Sequence, residues 1–407
     1  MAYNQDELVA PNWLNDEFFR DVLREANDDT SIELTGKCRL RPGTKMGDHY
    51  ASVIFRTTVT YRTEKSDGEQ SINLIMKTTP EADGLKKELL EDNMFFNIEI
   101  RMYSKVLPEM ARLLKDIGEE YKYPRYFYGA LKPHSIVILE DISNQGWVMS
   151  DFIETVDDIK PIIKDLAMFH AASVVMESKD PNFSTEHNFS MADKFLSFEQ
   201  MINKGFRDLM YLTKTYPEFA GFAKPLENFQ GGLRKVLESM YTPSRTFQNV
   251  LTHGDFQIKN MLHQIDADGR HTDTILLDYQ ICSWTTPSID LYGLLDMIAS
   301  QDLKNRSRHE IIYLYYQEYS GLLKRLGFGG RIPTLLDLQA ELLRTSGFEM
   351  FHYVVFTTFR FLCQENLDIE AFIKGETENP ALDNPEFKKL MLAELSRLLY
   401  QGTISEN

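Results

Sequence analysis

The spacing of apolar and polar positions changes character several times along the chain. Leu14, Phe18 and Val22 fall one helical turn apart, and Asn15 stands where an N-cap side chain accepts from first-turn amides, so a helix is predicted at about 15–25. From about 32 to 80 the runs become β-branched and aromatic. IELTGKCRL predicts one strand, and SVIFRTTVTYR and SINLIMKTT predict a hairpin that turns at SDG. The glycine-bearing stretch RPGTKMGDHYA connects the first strand to this hairpin. Residues 85–107 revert to helical period, with Leu90, Met94, Ile98, Met102 and Val106 at steps of four, and Pro108 is predicted to end the run. RYFYGAL and SIVILED read as strands. Past 150 nearly everything reads as helix, DDIKPIIKDLAMFHAASVVM included, except 250–281, where MLHQI and TDTILLDYQ flank DADGRH as a second hairpin. The order predicts an α+β chain, with a sheet-rich N-terminal lobe and a larger helical C-terminal lobe that meet near 142.

Composition narrows the class without changing this picture. The 407 residues are enough for two or three domains, and 43% apolar with 26% charged is ordinary globular composition. Three scattered cysteines, Cys38, Cys282 and Cys363, carry no metal-ligand spacing and read as thiols of a reducing compartment. The acidic N-terminus has no apolar leader run, and no stretch approaches the ~18 apolar residues of a membrane span, so a cytoplasmic protein with no membrane insertion is expected. A net charge of −17 argues against nucleic acid as a partner. Residues 31–80 depart from that balance, with eight Lys/Arg against five Asp/Glu. No obligate protein partner is indicated.

The densest polar cluster among apolar residues is VLTHGDFQIKNMLHQIDADGRHTDTILLDYQ. Asp255 and Asn260 lie five apart on an irregular loop, and Asp278 ends the apolar strand ILLD, where a carboxylate is costly unless paired or bound to metal. The hairpin between them is expected to bring these oxygens together. Hard oxygen ligands of this kind suit Mg²⁺. The same carboxylates could also be plain turn and strand-end groups. It is the spacing from HGD to Asn260 to Asp278 that favours the metal reading.

This passage resembles the catalytic loop and metal-binding strand of the protein kinase-like fold in its aminoglycoside phosphotransferase and choline kinase branch. LTHGDFQIKNML with LLDYQ, PGTKMGDHYASVIFR, FFNIEIRMYSKVLP and VILEDIS together resemble the ecdysteroid kinase-like (CHK kinase-like) proteins, from about residue 30 to about 300. The resemblance implies a bilobal fold, with a nucleotide-binding lobe at 1–142, a hinge at about 137–143 and a helical lobe at 143–407. The helical lobe would carry the catalytic loop 253–260 and the metal-binding strand end at 278. It further implies that Asp255 accepts the acceptor hydroxyl's proton and that Asn260 and Asp278 hold Mg²⁺. Asp278-Tyr279-Gln280 stands where protein kinases have Asp-Phe-Gly.

Lys77 ends the apolar run LIM, and Glu99 lies on the next helix between Phe95 and Tyr103, so its carboxylate needs a partner. Lys77 is the natural one; Glu88 is the alternative for the lysine. In the kinase fold such a pair aims the lysine at the α- and β-phosphates of ATP. Gly43 and Gly47 would let the 42–51 loop approach the triphosphate, although an ordinary hairpin loop has the same letters. Main chain at Glu140 and Ile142 would meet adenine. His253 reads as bracing its loop, Lys259 as a solvated loop lysine, His170 as a satisfied core histidine and Asp290 as a helix cap.

The function implied is ATP- and Mg²⁺-dependent phosphorylation of a small-molecule alcohol, ecdysteroid-like or xenobiotic, with roles in steroid metabolism or detoxification. A choline- or ethanolamine-type kinase is the neighbouring alternative. A non-catalytic nucleotide- or steroid-binding pseudokinase is the other. A lipophilic acceptor would lie beside Asp255, among helices from 190–245 and 300–370 that supply Phe206, Met210, Tyr313, Phe348, Phe351 and Tyr353.

Overall fold

The computed structural model describes residues 9–43, 53–80, 93–244, 246–361 and 377–406, without the side chains of 193–198, 359 and 360. Gly47 and Glu88 lie outside the described residues, as does the first part of the helix predicted at 85–107. The chain is α+β and divides into two compact units, Ala2–Met149 with Met261–Ile281, and Ser150–Asn260 with Cys282–Asn407.

The first unit is built on an antiparallel sheet. Its strands are β1 (Glu33–Leu34), β2 (Arg41–Pro42), β3 (Val53–Thr63), β4 (Ser66–Thr78), β5 (Tyr126–Ala130) and β6 (Ile136–Glu140). They run in the order β1-β3-β4-β6-β5, with β2 also on β3. The predicted strand at 32–40 survives only as the two-residue β1. The β3–β4 hairpin pairs Thr63 with Ser66, so its turn is Glu64-Lys65 and not SDG. Ser66, Asp67 and Gly68 instead begin β4, where Gly68 takes φ +83°, and the ladder shifts register between Tyr61 and Thr63.

Strand alternation sends Leu74 and Met76 of β4 into a core with Phe55, Val59, Ile138 and Phe127. Helix α1 (Asp16–Asn27) covers that core with Phe19, Val22 and Leu23, and its N-cap Asn15 accepts from the Phe18 amide. The opposite face presents Val137 and Leu139 to Phe95, Phe96 and Ile100 of helix α2 (Met94–Arg101). Pro108 does not end this helix. The chain passes through a π-helical turn, Met102–Val106, in which the Leu107 amide reaches back to Met102 O, and continues as Leu107–Lys115. Pro108 stands directly after the π turn, at the start of that continuation.

A hairpin of Met261–Ile265 and His271–Leu276 belongs to the same unit. Its Leu262, Ile275 and Leu277 pack on Ile142 and Trp147.

The second unit is mainly helical. Its principal helices are α3 (Val156–Lys179), α4 (Phe195–Thr215), α5 (Ala223–Met240), α6 (Ser288–Gly293), α7 (Gln301–Arg325), α8 (Leu335–Thr345), α9 (Phe348–Val355) and α10 (Pro385–Gln401). The strands Val250–Thr252 and Ser283–Thr285 pair antiparallel and carry the loop that follows Thr252. On α4, a Cβ at Gly205 would lie 1.9 Å from Val354 O, so α4 and α9 meet backbone to backbone.

A buried ionic network ties α10 to its neighbours. Lys304 bonds Asp296 at 2.5 Å and Glu394 at 2.8 Å, while Arg397 bonds Glu349 at 2.6 Å. Tyr353 therefore points its hydroxyl into this network, at 2.7 Å from Glu394, and Phe206, Phe348 and Phe351 are core residues. Tyr313, by contrast, is exposed. Among the described residues no helix is long and apolar enough to cross a membrane.

Candidate active site

Within the first unit, local periodicity assembles a charged group. Lys77 pairs with Val137 across the β4–β6 ladder and so lies on the face that packs against α2. Glu99 follows Phe96 by one helical turn and is buried. Lys77 Nζ donates to Glu99 Oε2 at 2.8 Å, to Asp278 Oδ1 at 2.5 Å and to Gln280 Oε1 at 3.0 Å. Gln280 returns its Nε2 to Asp278 Oδ2 at 3.2 Å, so one amide spans the pair.

Asp278 holds φ +64°, a left-handed conformation that costs a non-glycine residue about 1–2 kcal/mol. The next residue secures it. Tyr279 is fully buried, edge-on to Tyr103 at 5.5 Å, with its hydroxyl 3.0 Å from that of Tyr121.

One ammonium faces two carboxylates, and the protonation behaviour follows from that imbalance. Burial works against the Lys77 charge, but Asp278 and Glu99 outweigh it and hold the lysine above its ordinary range. Burial also pushes Glu99 up, and with Asp278 adding to that push against the pull of Lys77 it reaches about 7.

Gly43 stands at the end of β2. Its amide donates to Ile54 O at 2.7 Å, and a Cβ there would meet Ile54 Cγ2 at 2.4 Å, so close backbone approach requires glycine. Its carbonyl accepts from Arg56 Nε at 3.2 Å, and Arg56 Nη1 bonds both oxygens of Asp141 at 2.7 and 2.8 Å. Glu140 ends β6 and accepts from Gln145 Nε2 at 2.8 Å. Ile142 opens the 3₁₀ turn Ile142–Gln145, its side chain buried against Trp147 and Ile275.

Within the second unit, the loop after Val250–Thr252 carries the other group. Asp255 Oδ1 accepts from Gln257 Nε2 at 2.7 Å, and Asp255 Oδ2 accepts from Asn260 Nδ2 at 2.7 Å. Asn260 Nδ2 also donates to Asp255 O at 2.9 Å, which turns its Oδ1 away from the aspartate. Lys259 is exposed.

Helix α6 forms the loop's support. Asp290 does not cap its own helix. It accepts the His253 amide at 2.7 Å and the Gly254 amide at 2.9 Å. One turn on, a Cβ at Gly293 would lie 2.3 Å from Phe256 O, so only glycine admits the loop's backbone there. His170 is fully buried and makes two side-chain hydrogen bonds.

The donor chemistry can be tested against Mg²⁺. Asn260 Oδ1 and the Asp278 carboxylate are hard oxygen ligands, the kind Mg²⁺ takes in ones and twos alongside phosphates and waters. Among the described residues no group of three or more His, Cys, Asp or Glu side chains gathers to hold a metal unaided. The roles of Gln257 and Gln280 were not read from the sequence, and Asp290 was read only as a cap. Of these, Asp290 carried a usable signal, since a carboxylate inside the apolar run SIDLYGLL needs donors.

The model of the ecdysteroid kinase-like family matches residues 46–328. No curated protein sequence matches the chain. Among solved structures, the chain is similar to a spectinomycin phosphotransferase bound to ADP and spectinomycin, at 14% identity and TM-score 0.45 over 93% of this chain and 98% of that one. It is similar to an aminoglycoside 2'-phosphotransferase in complex with GDP, at 12% identity and TM-score 0.41 over 94% and 99%. It is also similar to a choline kinase from Streptococcus pneumoniae, at 11% identity and TM-score 0.37 over 93% and 98%.

Proposed function

Because the chain belongs to the ecdysteroid kinase-like family, we propose that it is an ATP- and Mg²⁺-dependent kinase acting on a hydroxyl of a small lipophilic molecule, ecdysteroid-like or xenobiotic. The observation that supports this most strongly is the set of contacts on Lys77. Its ammonium is fixed by Glu99, Asp278 and Gln280, a preorganised cation of the kind that stabilises phosphate charge.

In this reading Lys77 binds the α- and β-phosphates, and Glu99 keeps it aimed. The loop that carries Gly43 and Gly47 approaches the triphosphate, with the Gly43 amide itself held by Ile54 O, and main chain at Glu140 and Ile142 contacts adenine. Asn260 and Asp278 hold Mg²⁺, which when bound neutralises charge on the transferring group. Asp255, with both carboxylate oxygens oriented by amide donors, receives the acceptor's proton. The acceptor oxygen forms a bond to the terminal phosphorus, the bond to the ADP oxygen breaks, and the hydroxyl proton passes to Asp255. A positioned base of this kind is worth about 10²–10⁴ in rate.

The test is a substrate panel of polyhydroxylated steroids, plant-type phenolics and choline, with Mg·ATP, read by mass gain of phosphate on the acceptor. Transfer to a steroid or phenolic, lost in Asp255→Asn while ATP still binds, is the expected result. A clear preference for choline would overturn the acceptor class, and ATP binding without transfer to any acceptor would overturn the enzyme.

A further inference from the structure

The contacts that hold the Asp255 loop extend further into the second unit than Asp290. Asp290 Oδ2, which takes the His253 amide, lies 3.0 Å from His170 Nε2, and His170 Nδ1 lies 2.8 Å from the hydroxyl of Tyr315 on α7. Asp290, His170 and Tyr315 are all fully buried.

The directions of these bonds follow from what each atom can do. A carboxylate that accepts two backbone amides offers no proton, so His170 Nε2 must donate to it. A neutral imidazole protonated on Nε2 has a bare Nδ1, which can only accept, so the Tyr315 hydroxyl donates. Burial keeps His170 below its ordinary range against the pull of Asp290, with His253 acting the same way as burial. Burial, with Tyr319 and Asp290, holds Tyr315 well above its own range, so its proton stays in place.

Both ends of the chain of bonds are braced. Tyr315 stacks on Tyr319 at 5.7 Å, and Tyr319 donates to Gln248 Oε1 at 2.6 Å. One turn beyond His170 on α3, Ser173 Oγ accepts the Leu251 amide at 2.9 Å, two residues before the loop.

We propose that Tyr315 is a positioning residue for phosphotransfer. Its hydroxyl fixes the orientation of the His170 ring, and that ring in turn holds the Asp290 carboxylate against the amides of His253 and Gly254, one residue before Asp255. The proposal rests on the kinase reading for its catalytic consequence but not for its structural one, and the two can be measured separately.

Hydrogen exchange of peptides spanning 250–256 is to be followed in the full-length protein and in Tyr315→Phe, His170→Gln and the double variant, alongside kcat and KM for ATP. In Tyr315→Phe the loop amides should exchange about tenfold faster, the scale of one lost hydrogen bond, with kcat lower and KM for ATP unchanged. The double variant should exchange and turn over as His170→Gln does alone, because Tyr315 acts only through that ring. Unchanged exchange, a rise spread evenly over the second unit, or additive losses in the double variant would overturn the proposal. Faster loop exchange in a protein whose native form transfers no phosphate would support the relay and refute the kinase reading. If Tyr315→Phe does not fold, ¹⁵N-histidine spectra of the native protein decide, with the His170 signal identified by its loss in His170→Gln. A proton on Nε2 is required, and one on Nδ1 would overturn the assignment.

Discussion

Replacing Glu99 by glutamine should make the protein clearly more stable at pH 8 and only slightly so at pH 5, even though the change removes a buried ion pair. Lys77 is shared between Glu99 and Asp278, so ionising both carboxylates leaves one negative charge uncompensated in a buried setting. Glu99 titrates at about 7 in the folded chain against an ordinary 4.5. An acid whose folded value is raised contributes stability below its unfolded value, and that contribution is lost as pH rises through the folded value. Here the window runs from 4.5 to about 7. At 1.36 kcal/mol per unit, the loss above pH 7 approaches about 3 kcal/mol. At pH 5 the native Glu99 is protonated and glutamine replaces it almost atom for atom, so only the part of the loss incurred above 4.5 by the unfolded chain, under about 1 kcal/mol, separates the two. At pH 8 the native protein carries the full penalty and the variant does not. Thermal melts of both proteins at pH 5, 6, 7 and 8 give the difference directly, and using the difference cancels every other titrating group. The activity should move the opposite way, because Lys77 loses one of the two carboxylates that hold it. A Glu99→Gln variant that is less stable than native at pH 8, or whose stability difference is flat across the series, would refute the charge arithmetic.

Gly293→Ala should lower kcat at least about tenfold and cost about 1–3 kcal/mol, because its Cβ would overlap Phe256 O at 2.3 Å and the Asp255 loop must shift. Unchanged turnover in the folded variant would show that the loop yields freely. Asp278→Asn should abolish the Mg²⁺-dependent part of ATP's thermal stabilisation while leaving Lys77 paired with Glu99, and a melt with ATP, with and without Mg²⁺, checks it. Arg397→Ala should cost about 3 kcal/mol in denaturant unfolding, since it withdraws a cation from buried Glu349 and Glu394 at once, and a loss under about 1 kcal/mol would contradict this.

The parts of the site that were legible in the sequence are those fixed by local periods. The position of Lys77 at the end of the apolar run LIM and the helical step that sets Glu99 between Phe95 and Tyr103 already pointed to the two as a pair, and Asn15 marked the start of its helix. What the sequence concealed depends on distant partners or on a single inserted residue. The Glu64-Lys65 turn was misplaced because a register shift near Tyr61 and the positive φ of Gly68 move the strand boundary past the usual turn letters. Pro108 looked like a stop because α-helical hydrogen bonding was assumed before it, whereas a π turn changes which carbonyls need donors. Tyr315 lies 145 residues from His170, and α7 offers other tyrosines with no local mark to separate them. Gln257 and Gln280 are ordinary polar letters until their neighbours' carboxylates are located.

The π turn at Met102–Val106 also sets a phase. An α-helix advances about 100° per residue, whereas a π turn spends one residue more on nearly the same rotation, so the stretches on either side keep the phase of a regular helix one residue shorter. Downstream, Leu107, Met110 and Leu114 are locked in the core. Deleting one residue between 102 and 106 would relax the turn to regular α-helix and would look locally benign. Because the bulge leaves with the residue, Glu99 would stay on the face that meets Lys77, whereas a residue added to the segment, with no second π turn to take it up, would swing Glu99 about 100° around the helix axis. Substitutions within it and the loss of one residue can be absorbed, while a single-residue insertion disconnects the lysine from its helix.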